Sequence, residues 1–269
     1  MRIIPNLLPP RMRIISLNTN GIRSAARKGL FEWLPQQDAD VVCIQETKAQ
    51  FADLEGDPTF FPEGWHVYLN SAEKKGYAGV AIYTRQKPDA VLSDLSHAEF
   101  HAEGRFLEAR FGPLSVVSLY LPSGSSGPER QASKDRFLEF FRPMLQEWIV
   151  SGRDYVLCGD WNIAHRNIDL KNWRSNQKNS GFLPHERAWL DEVFAKFGWV
   201  DGYRALHTEA EGDAYTWWSN RGNAWANNVG WRIDYQIVTP GLRERIRSAS
   251  VYKDTRFSDH APLILDYDL

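Results

Sequence analysis

Short apolar runs that stop on a polar, chemistry-bearing side chain constrain this chain more than any other feature. Tyr155-Val156-Leu157-Cys158 leads through Gly159 to Asp160 and Asn162, just where a strand should end. In an α/β protein the strand ends are where chemistry is usually placed. The pattern recurs. Arg13-Ile14-Ile15-Ser16-Leu17 stops on Asn18, Val41-Val42-Cys43-Ile44 on Gln45-Glu46, and Val116-Val117-Ser118-Leu119 on Tyr120. Trp231 to Val238 reads as one strand with Asp234 in its middle, and Ser258-Asp259-His260 precedes a strand from Pro262 to Leu265. One apolar run ending in Asp carries little weight, because strands often stop at a turn-forming Asp or Asn. Several such ends together fit a converging site better than independent turns.

With 269 residues and 43% apolar content the chain can bury a large core, and sandwiches of this length commonly form one domain. One domain is therefore expected over 12–269, preceded by a proline-rich irregular extension, 1–11. Gly21 to Gln37 has helical spacing, Glu129 to Val150 reads as an amphipathic helix, and a third helix should run from Pro184 to Phe197, stopped by Gly198. Arg105 to Phe111 and Leu114 to Leu121, joined at Gly112-Pro113, read as a hairpin. Two strand-rich halves with helices between them imply sheet packed on sheet with helices outside. Cys43 and Cys158 lie inside apolar runs and read as reduced, buried cysteines. No apolar stretch is long enough to span a bilayer, and no secretory signal opens the chain.

The motifs that surround these strand ends resemble the exonuclease III and apurinic/apyrimidinic endonuclease family. They are Leu17-Asn18-Thr19-Asn20-Gly21-Ile22-Arg23, Gln45-Glu46-Thr47-Lys48, Gly76-Tyr77-Ala78-Gly79-Val80-Ala81 and Leu119-Tyr120-Leu121-Pro122, then Gly159 to His165, Asn176 to Phe182, Asn228 to Tyr235 and Ser258 to Pro262. The Glu, Asp-x-Asn and Asp-His elements are shared with wider relatives that cut other phosphoesters, whereas Asn-x-Lys-Asn-x-Gly-Phe and Val-Gly-Trp-Arg-Ile-Asp-Tyr look specific to a DNA-repair branch. The resemblance implies a four-layer α/β sandwich of the DNase I-like endonuclease/exonuclease/phosphatase type, with two packed mixed sheets flanked by helices. It also implies a metal-dependent enzyme that hydrolyses the phosphodiester 5′ to abasic sites in duplex DNA, with 3′-phosphodiesterase and 3′→5′ exonuclease activity. Two alternatives stay open: an enzyme that mainly trims 3′ ends, and a phosphatase of the same fold acting on small phosphoesters or lipids. A monomer in the cytoplasm is expected, nucleoid-associated in a bacterium, with duplex DNA carrying abasic sites or blocked 3′ ends as its partner and no membrane.

Oxygen donors without Cys/His ligand spacing point to Mg²⁺, with Mn²⁺ able to substitute. By the resemblance Glu46 is the first metal ligand, with Asn18 beside it and Asp259 close by. Asn20 stands where some relatives carry Asp, so a one-metal site is the expectation. Lys48 either pairs with Glu46 or contacts phosphate. Asp160 is the candidate to orient and deprotonate water; Asn162 can hydrogen-bond near phosphate without adding charge; Tyr120 can donate to phosphate or to the leaving group. His260 can donate to a non-bridging oxygen, with Asp259 fixing its tautomer. Asp234, costly to bury alone, needs a partner, and in the family its counterpart pairs with the catalytic histidine or lines the site.

The eleven tryptophans are mostly core by their number alone. By the resemblance, Trp217, Trp231 and Ile233 form a pocket for an extrahelical deoxyribose without its base, Asn176, Lys178 and Asn179 hold the backbone nearby, and Tyr77 and Arg221 touch the strand or groove. The net charge of −2 argues against an overall positive field. A carboxylate-rich centre can still sit inside a local basic rim, which Arg23, Arg27, Lys28, Lys48, Lys74, Lys75, Lys171, Arg174, Lys178 and Arg221 can supply.

Overall fold

The computed structural model describes residues 10–269. The strands are β1 (Arg11–Asn18), β2 (Val41–Gln45), β3 (His66–Asn70), β4 (Val80–Thr84), β5 (Ala90–Leu92), β6 (Phe106–Phe111), β7 (Leu114–Tyr120), β8 (Asp154–Asp160), β9 (Val200–Asp201), β10 (Trp217–Trp218), β11 (Gly230–Trp231), β12 (Asp234–Val238), β13 (Ile246–Val251) and β14 (Leu263–Asp268). They build two six-stranded sheets, ordered β13-β14-β1-β2-β4-β3 and β5-β6-β7-β8-β12-β9, and a two-stranded ribbon of β10 and β11. Each large sheet is mixed, with one parallel pair, β1 with β2 and β7 with β8, among antiparallel neighbours.

The near-continuous apolar runs are explained by burial on both faces, since a strand with no solvent face has no reason to alternate. Ile14, Val41 and Cys43 of one sheet meet Val116, Val156 and Cys158 of the other in the central core. Their neighbours Ile15, Leu17, Val42 and Ile44 point the opposite way, onto Ile22, Ala25, Leu30 and Trp33 of helices α1 (Ile22–Arg27) and α2 (Leu30–Trp33). On the far side, Val117, Leu119, Leu157 and Ile237 pack under α3 (Pro128–Val150) and, beyond the short α4 (Trp173–Asn176), α5 (Pro184–Asp191), through Phe137, Phe141, Leu145, Trp189 and Leu190. Helix, sheet, sheet and helix thus make the four layers. Among the described residues no helix is long and apolar enough to cross a membrane.

Four expectations change. The irregular extension was set at 1–11, but Arg11 already belongs to β1, paired with Asp268; residues 1–9 of that extension lie outside the described residues. The helix expected from Gly21 to Gln37 is broken at Gly29, whose left-handed φ of 89° starts α2 afresh, and its last turn is a 3₁₀ helix over Leu34–Gln37 around Pro35. The third helix passes into a π-turn over Glu192–Lys196 before Gly198. The strand expected from Trp231 to Val238 is two strands, and Asp234 is the first residue of β12 rather than the middle of a longer one. The cause is Thr216, whose Oγ1 accepts from the amides of Ile233 (3.2 Å) and Asp234 (3.1 Å), while the Arg232 amide donates to the Asp169 carbonyl (2.7 Å).

Candidate active site

Strand register brings the polar ends together before any side chain is considered. Tyr120, Asp160 and Asp234 are direct partners across β7, β8 and β12. In the other sheet Asn18 is level with Gln45, next to Glu46, and Asp259-His260 immediately precedes β14 beside β1. All these ends open into one cleft of about 640 Å³, lined by Glu46, Tyr120, Asp160, Asn162, Asp259 and His260 together with Lys178, Asn179, Trp217, Trp231 and Ile233. Asn18 and Asp234 lie beneath its floor, both buried.

The loop after β2 is held in a costly conformation. Glu46 and Lys48 both have φ of 49°, a region that non-glycine residues seldom adopt. Backbone bonds enforce it: Gly21 donates to the Glu46 carbonyl (2.8 Å), Thr47 to the Gly79 carbonyl (3.0 Å) and Lys48 to the Ala78 carbonyl (2.9 Å). Gly79 cannot carry a side chain, since its Cβ would stand 2.3 Å from Thr47 Oγ1.

Inside the cleft, Asn18 Nδ2 donates to Glu46 Oε1 and to Asp160 Oδ2, both at 2.9 Å. Asn162 donates to the same Asp160 carboxylate from its amide nitrogen (2.8 Å) and its side chain (3.2 Å). His260 Nδ1 lies 2.8 Å from Asp234 Oδ2, and its Nε2 is 3.9 Å from Asp160 Oδ2. The expectation that Asp259 sets the tautomer of His260 is therefore corrected: Asp234 occupies Nδ1. The Asp259 carboxylate turns away, accepting from Asn20 Nδ2 (3.1 Å), Ser258 Oγ (3.1 Å) and the indole of Trp217 (3.2 Å).

Electrostatics follow from this crowding. Burial drives the Asp160 carboxyl up to about 8, and repulsion from Asp234 and Glu46 adds to it against the attraction of His260. Burial alone would lower His260, but the charge and hydrogen bond of Asp234, backed by Asp160 and Asp259, push it up to about 10. Glu46 is lowered overall: burial raises it, and Lys48 and Asn18 outweigh burial. Burial first, and then Glu46, lift the Tyr120 phenol well above its usual value, so it remains a donor.

The donor set fits a hard divalent cation at Glu46. Its Oε2 is met at 2.8 Å by the Lys48 ammonium, which also donates to Asn20 Oδ1, so a positive charge already stands where a cation would bind. Asp160, Asp234 and His260 also present atoms within 4.8 Å of one another. A histidine protonated by its neighbours repels a cation, which makes that trio a poorer cage than the Glu46 side of the cleft.

The apolar wall is built on the ribbon. Trp217 and Trp231 are cross-strand partners with rings 6.2 Å apart and nearly perpendicular, backed by Ile233, Leu170 and Phe182. Ala261 and Trp218 tie the ribbon to the His260 segment by backbone bonds of 2.7 and 3.0 Å. Three expected contact residues stand outside the cleft. Asn176 is on α4 and accepts from Asn179 Nδ2 (2.8 Å); Arg221 is exposed on the loop between β10 and β11; Tyr77 lines a separate hollow with Lys74, Glu103 and Arg130, its hydroxyl bonded by Arg105 (2.8 Å) and by Arg130. Sequence reasoning missed Arg105, a buried guanidinium 4.8 Å from the Tyr120 ring that also donates to the Tyr120 carbonyl. Nothing in Gly104-Arg105-Phe106 distinguishes it from a surface arginine.

Residues 15–260 match the model of the Endonuclease/Exonuclease/phosphatase family. An exodeoxyribonuclease of Bacillus subtilis (strain 168) is 40% identical over 258 residues, covering 94% of this chain and 98% of that protein. A DNA repair nuclease of Danio rerio is 35% identical, covering 94% and 81%. Among solved structures, an AP endonuclease from Archaeoglobus fulgidus superposes with a TM-score of 0.86 at 28% identity, covering 96% of this chain and all of that one. The two sheets, the strand ends that meet in one cleft and these likenesses have one reading: the chain belongs to the Endonuclease/Exonuclease/phosphatase family.

Proposed function

We propose that this protein is a DNA-repair nuclease that hydrolyses the phosphodiester 5′ to an abasic site in duplex DNA, with 3′-phosphodiesterase and 3′→5′ exonuclease activity from the same centre, working as a monomer at the nucleoid in the bacterial cytoplasm. The observation that carries the reading is the sharing of one cleft by the Asp160–His260 cluster and the Trp217–Trp231 wall, with the Trp217 and His260 rings 6.5 Å apart. A small-phosphoester hydrolase has no use for an apolar slot of that kind, whereas a slot too small for a nucleotide selects a baseless sugar by shape.

Asp160, its carboxylate held by donors from Asn18 and Asn162, orients the attacking water and accepts its proton. His260 offers a cationic N–H to a non-bridging phosphate oxygen, oriented by Asp234. Asn162 and Asn18 fix the Asp160 carboxylate by hydrogen bonds that add no negative charge beside the phosphate. Tyr120 donates to the phosphate or to the leaving oxygen. Glu46, with Asn18 beside it and Asp259 nearby, would hold Mg²⁺, or Mn²⁺ in its place, and a cation bound there would neutralise charge at the phosphoryl oxygens. Asn176, Lys178 and Asn179 grip the backbone next to the slot formed by Trp217, Trp231 and Ile233, and Tyr77 and Arg221, outside the cleft, are the candidates for strand or groove contacts.

The test is a labelled duplex with one central abasic analogue, run beside an undamaged duplex, a recessed 3′ end and a small phosphomonoester, each with Mg²⁺ and with chelator. Incision 5′ to the lesion that disappears on chelation is the expected result. Resection of 3′ ends without incision would replace this reading by end trimming, and hydrolysis of the small ester alone by a phosphatase.

A further inference from the structure

One fully buried ion pair has no part in the roles above. Lys134 of α3 and Glu186 of α5 meet at 2.6 Å with neither side chain exposed. Two such charges cost several kcal/mol to bury unless their remaining hydrogen-bonding capacity is met. Here the cleft loops meet it. Lys134 Nζ donates to the carbonyl of Asn162 (2.7 Å), and Glu186 Oε2 accepts from the backbone amides of Gly181 (2.7 Å) and Leu183 (3.0 Å). Gln131 Nε2 completes Oε1 at 3.1 Å.

What the pair holds is a left-handed turn close to the reacting groups. Asn162 has a left-handed φ of 53°, a conformation asparagine adopts more readily than other side-chain-bearing residues and that its hydrogen bonds fix here. That conformation is what lets both nitrogens of Asn162 reach Asp160. Gly181, also left-handed, accepts from the Ala164 amide (2.8 Å), and a Cβ there would press on the Asn162 carbonyl and on Trp231. The pair therefore joins the Asp160–Asn162 turn to the loop that carries Lys178 and Asn179. A brace for stability alone would be served as well by apolar side chains, without the desolvation cost.

We propose that Lys134 and Glu186 are positioning residues for the cleavage reaction: Lys134 holds the Asn162 backbone so that Asp160 and Asn162 face the scissile phosphate, and Glu186 locks the neighbouring backbone-binding loop against them. This inference rests on the reading of Asp160 and Asn162 as catalytic. Misplacing reacting groups by about an ångström costs up to roughly 100-fold in rate even when the change lies away from the chemistry. Lys134→Met is thus expected to lower kcat on the abasic duplex by about 10- to 100-fold with KM within about twofold of the parent. Lys134→Gln, which keeps a neutral N–H donor directed at the Asn162 carbonyl though one bond shorter, is expected to recover part of kcat.

A folded Lys134→Met enzyme with the parental kcat, or a loss carried by KM alone, overturns the proposal, as does an equal loss in the Met and Gln variants. Should Lys134→Met fail to fold, Lys134→Gln decides, with a reduced kcat at unchanged KM in its favour and parental kcat against it. Asp160→Asn, assayed in parallel, separates the two readings. If Asp160→Asn is inactive while Lys134→Met keeps the parental kcat, the positioning role falls and the catalytic reading stands; if Asp160→Asn cleaves normally, both fall.

Discussion

His260 takes its orientation from Asp234, which sits across the sheet from Asp160, and not from its sequence neighbour Asp259. The distinction predicts unequal phenotypes. Asp234→Asn should reproduce most of the rate loss of His260→Asn, roughly 10²- to 10⁴-fold for a displaced general acid or charge donor, and the double variant should be little worse than either single one. Asp259→Asn should couple weakly to His260 and should instead weaken the hold on Trp217, whose indole it accepts. Single-turnover rates in a double-mutant cycle decide it: a coupling energy above about 1 kcal/mol for Asp259 with His260, and none for Asp234 with His260, would reverse the assignment. Adjacency in the sequence favoured Asp259, while the family resemblance left Asp234 open as the histidine's partner or as a lining residue; Asp234, 26 positions earlier, meets His260 because Thr216 ties both segments together, accepting from the Ala261 amide and from the Asp234 amide.

The break between β11 and β12 is a functional element held by charge. Arg232 lies inside it and is buried, its guanidinium donating to Asp169 Oδ1 (2.7 Å) and ion-paired with Asp201 Oδ2 (2.7 Å), while Arg204 reaches the same Asp169 at 2.6 Å. Trp231 and Ile233 on either side of it are thereby turned toward the cleft. Burial would raise the Asp169 carboxyl, but Arg232 and then Arg204 outweigh burial and hold it well below the usual carboxylate range. A depressed folded value means that the stability it contributes is complete above the unfolded value of about 3.9 and is lost as pH falls below it. Urea titrations of the parent should therefore show stability declining more steeply below about pH 4 than those of Asp169→Asn, which at neutral pH should be about 3–5 kcal/mol less stable because it strands buried guanidinium charge. Parallel acid profiles for the two would refute the claim. Trp231→Ala should leave the fold and the metal dependence intact, cost about 1–3 kcal/mol in abasic-site cleavage and narrow the preference over undamaged duplex; unchanged preference would remove the slot from the lesion-recognition account.

Across the molecule, the chain closes on itself. β14 lies between β13 and β1, one strand in from the edge of the first sheet, paired along its length with Arg11–Ser16, and it anchors the Asp259-His260 segment that faces the second sheet. Removing 263–269 should abolish the cooperative unfolding transition and all cleavage together, and a truncated protein that still melts sharply would show that the first sheet closes without β14. Much of this organisation was written in the chain. The strand ends at Asn18, Glu46, Tyr120 and Asp160 were legible because burial on both faces produces unbroken apolar runs, and a polar residue that ends such a run stands out. The long helix under the second sheet was legible from its helical spacing of apolar residues. The return of β13 and β14 to the first sheet, the split of Trp231 to Val238 around Thr216 and Arg232, the choice of Asp234 over Asp259 as the partner of His260 and the Lys134–Glu186 joint were not. Each depends on which groups meet across long stretches of chain. A local pattern records that a residue is buried or turned, and only the packed structure decides which distant charge or hydrogen-bond partner makes that burial affordable.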